Sequence, residues 1–258
     1  MLANGRFLLG PLGVAGALLT WEVLSRADVL PSRSFPPATA VARALFEETA
    51  GAELWIALGQ TLEGWALGLG LASALAVPLG ILIGSSRLLY GMSKALIEFL
   101  RPIPSVALIP LAVLVYGTGL QTKLFLVTFA SFWPILFQAI YGVQDVDPVA
   151  QDTARAFGFG RMQRLLRVTL PSAAPYIATG LRISSSVALV LAVTAELIVG
   201  VPGVGKVINA AQSGGAYALM YALIVVAGLL GLLLNLGFRA AERRLLRWHP
   251  SQREEAPV

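Results

Sequence analysis

The sequence GWALGLGLASALAVPLGILIGSS, residues 64–86, contains no Asp, Glu, Lys or Arg. A helix needs about 20 mostly apolar residues to cross the hydrocarbon core of a bilayer, so this stretch is long enough for one span. The whole chain has a similar character, since 57% of its 258 residues are hydrophobic and only 13% are charged. Such a chain cannot cover a water-soluble globule with polar side chains. We therefore predict an all-α polytopic membrane protein.

Five further charge-poor runs bring the predicted number of transmembrane helices to six. The fifth run contains Glu196, and the sixth is the helical part of a longer apolar stretch. The predicted spans are 7–21, 64–86, 102–122, 124–144, 183–205 and 218–238. The first is short enough to be a cleaved signal peptide, but Arg6, Glu22 and Arg26 can extend to the interfaces, so we expect a retained helix.

Lys and Arg are unevenly distributed between the segments that connect these spans. With a cytoplasmic N-terminus, 13 of the 19 Lys and Arg lie in inside segments, whereas five, including Lys123 and Lys206, lie outside. The positive-inside rule therefore predicts that both termini are cytoplasmic. The formal charge of +5 is then a topology signal, and we expect no nucleic-acid partner.

Several kinds of chemistry are excluded by residue counts. The chain has no Cys and a single His, His249, in a polar tail, so we expect no catalytic residue, no metal site and no cofactor in this chain. The sequence GVPGVGK, residues 200–206, matches the first seven positions of a P-loop, but Val207 has no hydroxyl for Mg²⁺ and the motif follows a predicted span. We predict a glycine-rich turn there.

The longest inside segment, residues 145–178, contains signals for two short amphipathic helices. Asp147 is a predicted N-cap with Pro148 at the first helical position, and Gly158 can end that helix with a positive φ. A second, basic helix is predicted from Arg161 to a stop at Pro171. On physical grounds this segment could lie on lipid headgroups or fit a groove of a soluble partner.

This segment resembles the cytoplasmic loop signature of ABC importer permeases. The family pattern is Glu-Ala-Ala, three residues, Gly, nine residues, and Ile-x-Leu-Pro. The corresponding residues here are Asp152, Thr153, Ala154, Gly158, Val168, Thr169, Leu170 and Pro171. Strings at 35–37, 77–84, 101–104, 132–136 and 146–148 are similar to those of permeases for nitrate, sulfonate and taurine. The resemblance covers about residues 30–245, and it fails at Gly64, where the resembling permeases often have an Arg.

The resemblance implies one permease domain, residues 1–258, with a MetI-like core at about 55–245, a coupling loop at about 145–178 and a cytoplasmic tail at 239–258. It implies a non-catalytic subunit of a bacterial inner-membrane importer that forms a homodimer in lipid. Two ABC ATPase subunits would bind ATP and Mg, and a substrate-binding protein would deliver the solute. The residues implied to couple to the ATPase are Asp152, Thr153, Ala154, Gly158, Val168, Leu170 and Pro171.

Polar groups and prolines within the spans are candidates for the pathway. An ionisable residue inside a span is costly, so Glu196 requires a polar partner or a position on the pathway. Glu98 and Arg101, three residues apart, can pair on one helix face. Further pathway candidates are Gln138, Ser184 and Ser185, and the predicted kink or gate residues are Pro102, Pro104, Pro110, Gly203 and Gly205.

The resemblance suggests a small anion, such as a sulfonate or nitrate, as the solute. Similar permeases also serve heterocyclic vitamin precursors, so that alternative stays open. A secondary transporter that acts alone is a further alternative, although we find no internal repeat of the kind that such proteins show.

Overall fold

The computed structural model describes residues 5–29, 31 and 34–246, and no β-strand occurs among them. Eleven α-helices occur in this part of the chain. They are α1 Gly5–Arg26, α2 Ala38–Thr49, α3 Ala52–Gly84, α4 Arg87–Leu100, α5 Ile109–Tyr116, α6 Leu120–Gln144, α7 Pro148–Ala156, α8 Arg161–Arg164, α9 Leu170–Val199, α10 Val204–Ser213 and α11 Tyr217–Leu245. A 3₁₀ turn, Ser105–Leu108, precedes α5, and a π turn, Leu165–Thr169, joins α8 to α9.

Among the described residues, four helical stretches are long and apolar enough to cross a bilayer: α3, α6, Arg161–Val199 and α11. The pair formed by α4 and Ser105–Tyr116 passes the same test together, which gives up to five spans. The prediction of an all-α polytopic membrane protein is therefore confirmed. α1, with 22 residues, corresponds to the first predicted span, 7–21, and would bring the number of spans to six.

The core of the molecule is the contact of α3 with α6 and of α6 with α9. Small residues let the backbones approach closely. A Cβ added to Gly68 would lie 2.5 Å from Val127 Cγ1, and one added to Gly80 would lie 2.5 Å from Ala139 Cβ. The two ends of this bundle differ. The loop end carries residues 145–169, and the opposite end carries the first residues of α3, α6 and α11.

A carboxylate of α1 caps the start of α2 and holds the two helices together. α2 follows Pro37 and has no capping side chain of its own. Glu22 of α1 supplies the cap, because it accepts hydrogen bonds from the Thr39 backbone N–H at 3.0 Å and from the Thr39 hydroxyl at 2.9 Å. The Trp21 ring contacts Tyr221 edge to face, with 5.6 Å between ring centroids. These contacts hold α1 and α2 against the start of α11.

The third span is a broken helix, and it begins earlier than the predicted 102–122, because the broken pair runs from Arg87 to Tyr116. α4 ends at Leu100, and the helix after the break is bent by 79° relative to it. Pro102 and Pro104 lie in the break, as expected of residues that lack a backbone N–H. Pro110 lies in the first turn of α5, where the missing N–H costs nothing, so Pro110 produces no kink.

The predicted stop at Pro171 is wrong, because the chain is helical from Arg161 to Val199. The π turn before Pro171 explains the continuity. In that turn the Leu170 N–H donates to the Leu165 carbonyl, and a π turn is wider than an α turn. The proline ring is therefore accommodated without a break in the helix.

Candidate functional site

α7 is a short helix with both ends fixed by local hydrogen bonds. The Asp147 carboxylate accepts from the Val149 N–H at 2.8 Å, and Pro148 begins the helix, which confirms the predicted N-terminus. At the other end Gly158 has φ +79° and donates to the Arg155 carbonyl, while the Phe159 N–H donates to the Ala154 carbonyl. This is a Schellman motif, and it confirms the predicted C-terminus.

The exposed side of α7 is mixed in character. Asp152 and Arg155 form an exposed ion pair at 3.1 Å, and Phe157 is 79% exposed. Ala154 is buried against the chain itself, so its side chain is not available to a partner. Among the other residues of the predicted coupling set, Thr153 and Pro171 are exposed, and Val168 and Leu170 are half-buried.

A basic groove separates α7 and α8 from the ends of α3 and α6. Its volume is about 1070 Å³. The charged residues that line it are Arg87, Asp152, Arg155, Arg161 and Arg164. The Arg164 Nε–H is buried and has no acceptor among the described residues. The groove therefore presents an excess of hydrogen-bond donors and positive charge at the loop end.

The opposite end contains a buried ion pair. Lys123 Nζ lies 2.8 Å from Glu196 Oε1, and the two side chains are 1% and 0% exposed. Lys123 also donates to the backbone carbonyls of Gln60 and Pro202, at 3.1 Å and 2.8 Å. The other Glu196 oxygen accepts from the Thr61 hydroxyl and from the Gly205 N–H, both at 2.9 Å. Every charged oxygen and nitrogen of the pair therefore has partners, as burial requires.

The glycine-rich turn after α9 is shaped around Glu196. Gly203 has φ +148°, and a Cβ on it would lie 2.1 Å from Glu196 Cδ. A Cβ on Gly205 would lie 2.4 Å from the Val193 carbonyl oxygen. The turn predicted at residues 200–206 is confirmed for residues 200–203, whereas Val204 already begins α10, so the turn brings the start of α10 onto the ion pair.

A comparison with protein families decides the identity of the chain. Residues 76–247 match the family described as binding-protein-dependent transport system inner membrane component. The chain belongs to this family. The matched residues include α5 to α11, and therefore both α7 and the Glu196 turn.

Curated relatives of this permease share most of its length. The taurine transport system permease protein TauC of Escherichia coli is 34% identical over 244 residues, which are 92% of this chain and 89% of TauC. The putative aliphatic sulfonates transport permease protein SsuC of Bacillus subtilis is 29% identical over 95% of this chain and 89% of its own length. The nitrate import permease protein NrtB of Leptolyngbya laminosa is 31% identical over 71% of this chain and 67% of its own length. The resemblance to this branch is confirmed, and the chain is the permease subunit of an ABC importer.

Solved structures support the same fold. A MetNI methionine ABC transporter in an inward-facing conformation has a TM-score of 0.63 at 22% identity, over 72% of this chain and 92% of that one. An amino acid ABC transporter has a TM-score of 0.58 at 18% identity, over 75% and 92%. The MetI-like fold is confirmed. Membership of this family also excludes the alternative that the chain is a secondary transporter that acts alone.

The predicted pathway residues of the permease lie in three different environments. Glu196 is enclosed by its partners at the opposite end. Ser184 is buried and donates to the Ser131 carbonyl at 2.7 Å, and the Ser185 carbonyl accepts from the Trp65 indole at 3.0 Å, so both serines lie in helix contacts. Gln138 lines a cavity beside the α4–α5 break. The structure does not bring these four residues together.

Two predictions about charged side chains differ from the structure of the permease. Glu98 lies 3.9 Å from Lys94 and does not pair with Arg101, whose guanidinium lies over the Phe137 ring. Lys123, which we expected in an outside loop, is the fourth residue of α6 and is buried. The sequence held one sign of this, since Lys123 is a single charge between two apolar runs and Glu196 is a single charge inside a third.

Proposed function

We propose that this permease carries a small oxyanion, of the sulfonate or nitrate class, from a substrate-binding protein into the cell. The support is the solute named for the relatives: taurine, aliphatic sulfonates and nitrate. A heterocyclic vitamin precursor is the second candidate, which the family resemblance left open. In either case the solute is moved and not chemically changed by this subunit.

The observation that carries the proposed mode of action is the exposure of α7 at the loop end. A short helix with both ends fixed and an exposed Phe157 is suited to fit a groove on a soluble protein. We infer that the soluble partner is an ABC ATPase, which binds ATP and Mg. The permease would then need no catalytic residue or cofactor of its own. Asp152, Thr153, Gly158 and the groove arginines would form the contact.

The proposed assembly contains two permeases and two ATPases, with the binding protein at the opposite end. The two permeases would be identical copies. In this arrangement the loop end is cytoplasmic and both termini are on that side. The ion pair of Lys123 and Glu196 would then lie beneath the surface that receives the binding protein.

The first experiment is a pull-down of the full-length chain from its native membrane in a mild detergent, followed by mass spectrometry. We expect an ATPase in equal amount to the permease. Recovery of the permease alone, under conditions in which another importer of the same membrane stays intact, would contradict the proposed assembly.

The second experiment identifies the solute. The binding protein found with this permease is purified, and its unfolding temperature is measured with taurine, ethanesulfonate, nitrate and a pyrimidine. We expect stabilisation by at least one of the anions, because a ligand that binds only the folded state raises the unfolding temperature. Stabilisation by the pyrimidine alone would replace the oxyanion with the heterocyclic candidate.

A further inference from the structure

A cavity of about 420 Å³ lies at the break between α4 and α5, with α6 and α9 as its other walls. This volume falls within the usual range of small-molecule sites, about 300–1,000 Å³. On α6 the lining begins at Ala130, near the middle of the helix, and ends at Tyr141, close to the loop end. The cavity therefore lies in the half of the bundle nearer the loop, and it is open to the bundle surface, where Arg101 and Tyr141 are exposed.

The break itself explains why a cavity occurs at this depth. Pro102 and Pro104 have no backbone N–H, and the residues around them leave the α-helical hydrogen-bond pattern. Irregular backbone at membrane depth is tolerated where it is buried in protein or lines a water-filled space. Ile103 and Ser105, which line the cavity, belong to this segment.

Arg101 presents unused donors to this space. Its guanidinium carbon lies over the Phe137 ring, 4.7 Å from the ring centre, in a cation–π contact. Among the described residues no side chain or carbonyl accepts a hydrogen bond from this guanidinium. A guanidinium in a cation–π contact still has N–H groups in its own plane, which can hold two oxygens of one anion.

The other polar groups of the cavity have the same preference. The Trp133 indole N–H is buried and has no acceptor among the described residues. Gln138 and Ser105 add an amide and a hydroxyl. No Asp or Glu is among the residues that line the cavity. One cation, several donors and no carboxylate favour an anionic ligand over a cation.

We propose that this cavity is an oxyanion subsite on the translocation pathway, in which Arg101 and Trp133 hold the charged headgroup of the solute. The proposal rests on the proposed function, because it assumes that the solute is a sulfonate or nitrate. It adds the place at which the permease binds that group and the two residues that bind it.

The test measures binding to the permease copurified with its ATPase, without the binding protein. Radiolabelled ethanesulfonate is the probe, since it has the oxyanion and no other charge, and its Kd is measured by equilibrium dialysis. We expect Arg101→Met to weaken binding at least about tenfold, because it removes a charge-assisted bidentate contact. Arg101→Lys keeps the charge and loses the planar fork, so its Kd should lie between those of Arg101→Met and the unaltered protein.

Trp133→Phe is the second variant, and it retains an aromatic ring while it removes the N–H. We expect it to weaken binding at least about tenfold, the loss of one hydrogen bond to a charged group. Lys206→Met is the matched control, since it removes one positive charge from an exposed position on α10 and should leave the Kd unchanged.

Each result bears on either the subsite or the substrate class. If ethanesulfonate stabilises the binding protein but does not bind the permease, or if it binds Arg101→Met and Trp133→Phe as it binds the unaltered protein, the subsite is wrong and the oxyanion class stands. If no anion stabilises the binding protein, both proposals are overturned.

Discussion

Lys123 and Glu196 are each held by several groups from different helices, and neither side chain is exposed. An ion pair that is removed from water contributes little net stability, but the loss of one partner leaves a buried charge without compensation. The two substitutions should therefore be non-additive: the removal of both charges should destabilise the fold by less than the sum of the two single losses.

We predict that Lys123→Met and Glu196→Gln each lower the free energy of unfolding by about 3–5 kcal/mol. The double variant should be less destabilised than the sum of the two, with a coupling of about 2–3 kcal/mol. Unfolding is followed by denaturant titration in detergent. The matched control is Lys94→Met with Glu98→Gln, an exposed pair at 3.9 Å, whose coupling should stay below about 1 kcal/mol. Additive effects at Lys123 and Glu196 would contradict a buried, coupled pair.

Gly64 has no side chain because Lys123 fills the space beside it. A Cβ on Gly64 would lie 2.2 Å from Lys123 Cδ, so Gly64→Arg should prevent correct packing. Gly64 lies three residues after Thr61 on the same face of α3, and Thr61 contacts Glu196. We predict that Gly64→Arg combined with Lys123→Ala is more stable in thermal unfolding than either single variant, because the arginine takes over the pairing with Glu196. A double variant no more stable than Lys123→Ala would refute this exchange.

At the scale of the element, α7 could be predicted and the α4–α5 break only in part. The Asp147, Pro148 and Gly158 signals for α7 are local, since each acts through hydrogen bonds to its own neighbours. Pro102 and Pro104 predicted a distortion of the helix. The 79° bend and the cavity beside it, however, depend on packing against α6 and α9. The pairing of Lys123 with Glu196 joins residues 73 positions apart, and no local pattern predicts it.

The docking role assigned to α7 leads to a prediction at Gly158. We expect Gly158→Arg to insert into the membrane normally and to lose the ATPase in copurification, because a long charged side chain would stand at the end of the docking helix. Gly158→Ala distinguishes the effect of side-chain size from that of backbone strain. Because φ is +79°, an L-residue at this position costs about 1–2 kcal/mol, but the added Cβ meets no atom within 4 Å. It should retain most of the ATPase.

Gly160→Arg is the second control for the same prediction. It adds the same charge two residues later, at an N-cap with φ −65° that any residue can adopt. If Gly158→Arg copurifies with the ATPase at the yield of the unaltered permease, α7 does not dock as proposed. Equal losses in Gly158→Ala and Gly158→Arg would attribute the effect to the backbone instead.

For the whole molecule, the structure strengthens the charge argument for orientation. Five Lys and Arg were assigned to outside segments, but Lys123 is buried in the bundle and belongs to no connecting segment. Arg182, counted inside, likewise lies within α9, so four outside charges stand against 12 inside, and the loop end carries the arginines of the groove. The tail predicted at 239–258 begins within α11, which runs to Leu245, and residues 247–258, with His249, lie outside the described part. The positive-inside rule thus supports the proposed cytoplasmic position of the loop end.

This orientation can be tested by labelling single introduced cysteines. The chain has no Cys of its own, so the unaltered protein serves as the control without a reactive thiol. Glu47→Cys lies on α2 at the opposite end, and Gly160→Cys lies on the loop, and both positions are exposed. We predict that a membrane-impermeant maleimide labels Glu47→Cys in intact spheroplasts and labels Gly160→Cys only after lysis. Equal labelling of both after lysis shows that each thiol is accessible. Labelling of Gly160→Cys in intact spheroplasts would show that the topology is the opposite of the proposed one. The basic groove and α7 would then lie on the side that no ATP-driven partner can reach.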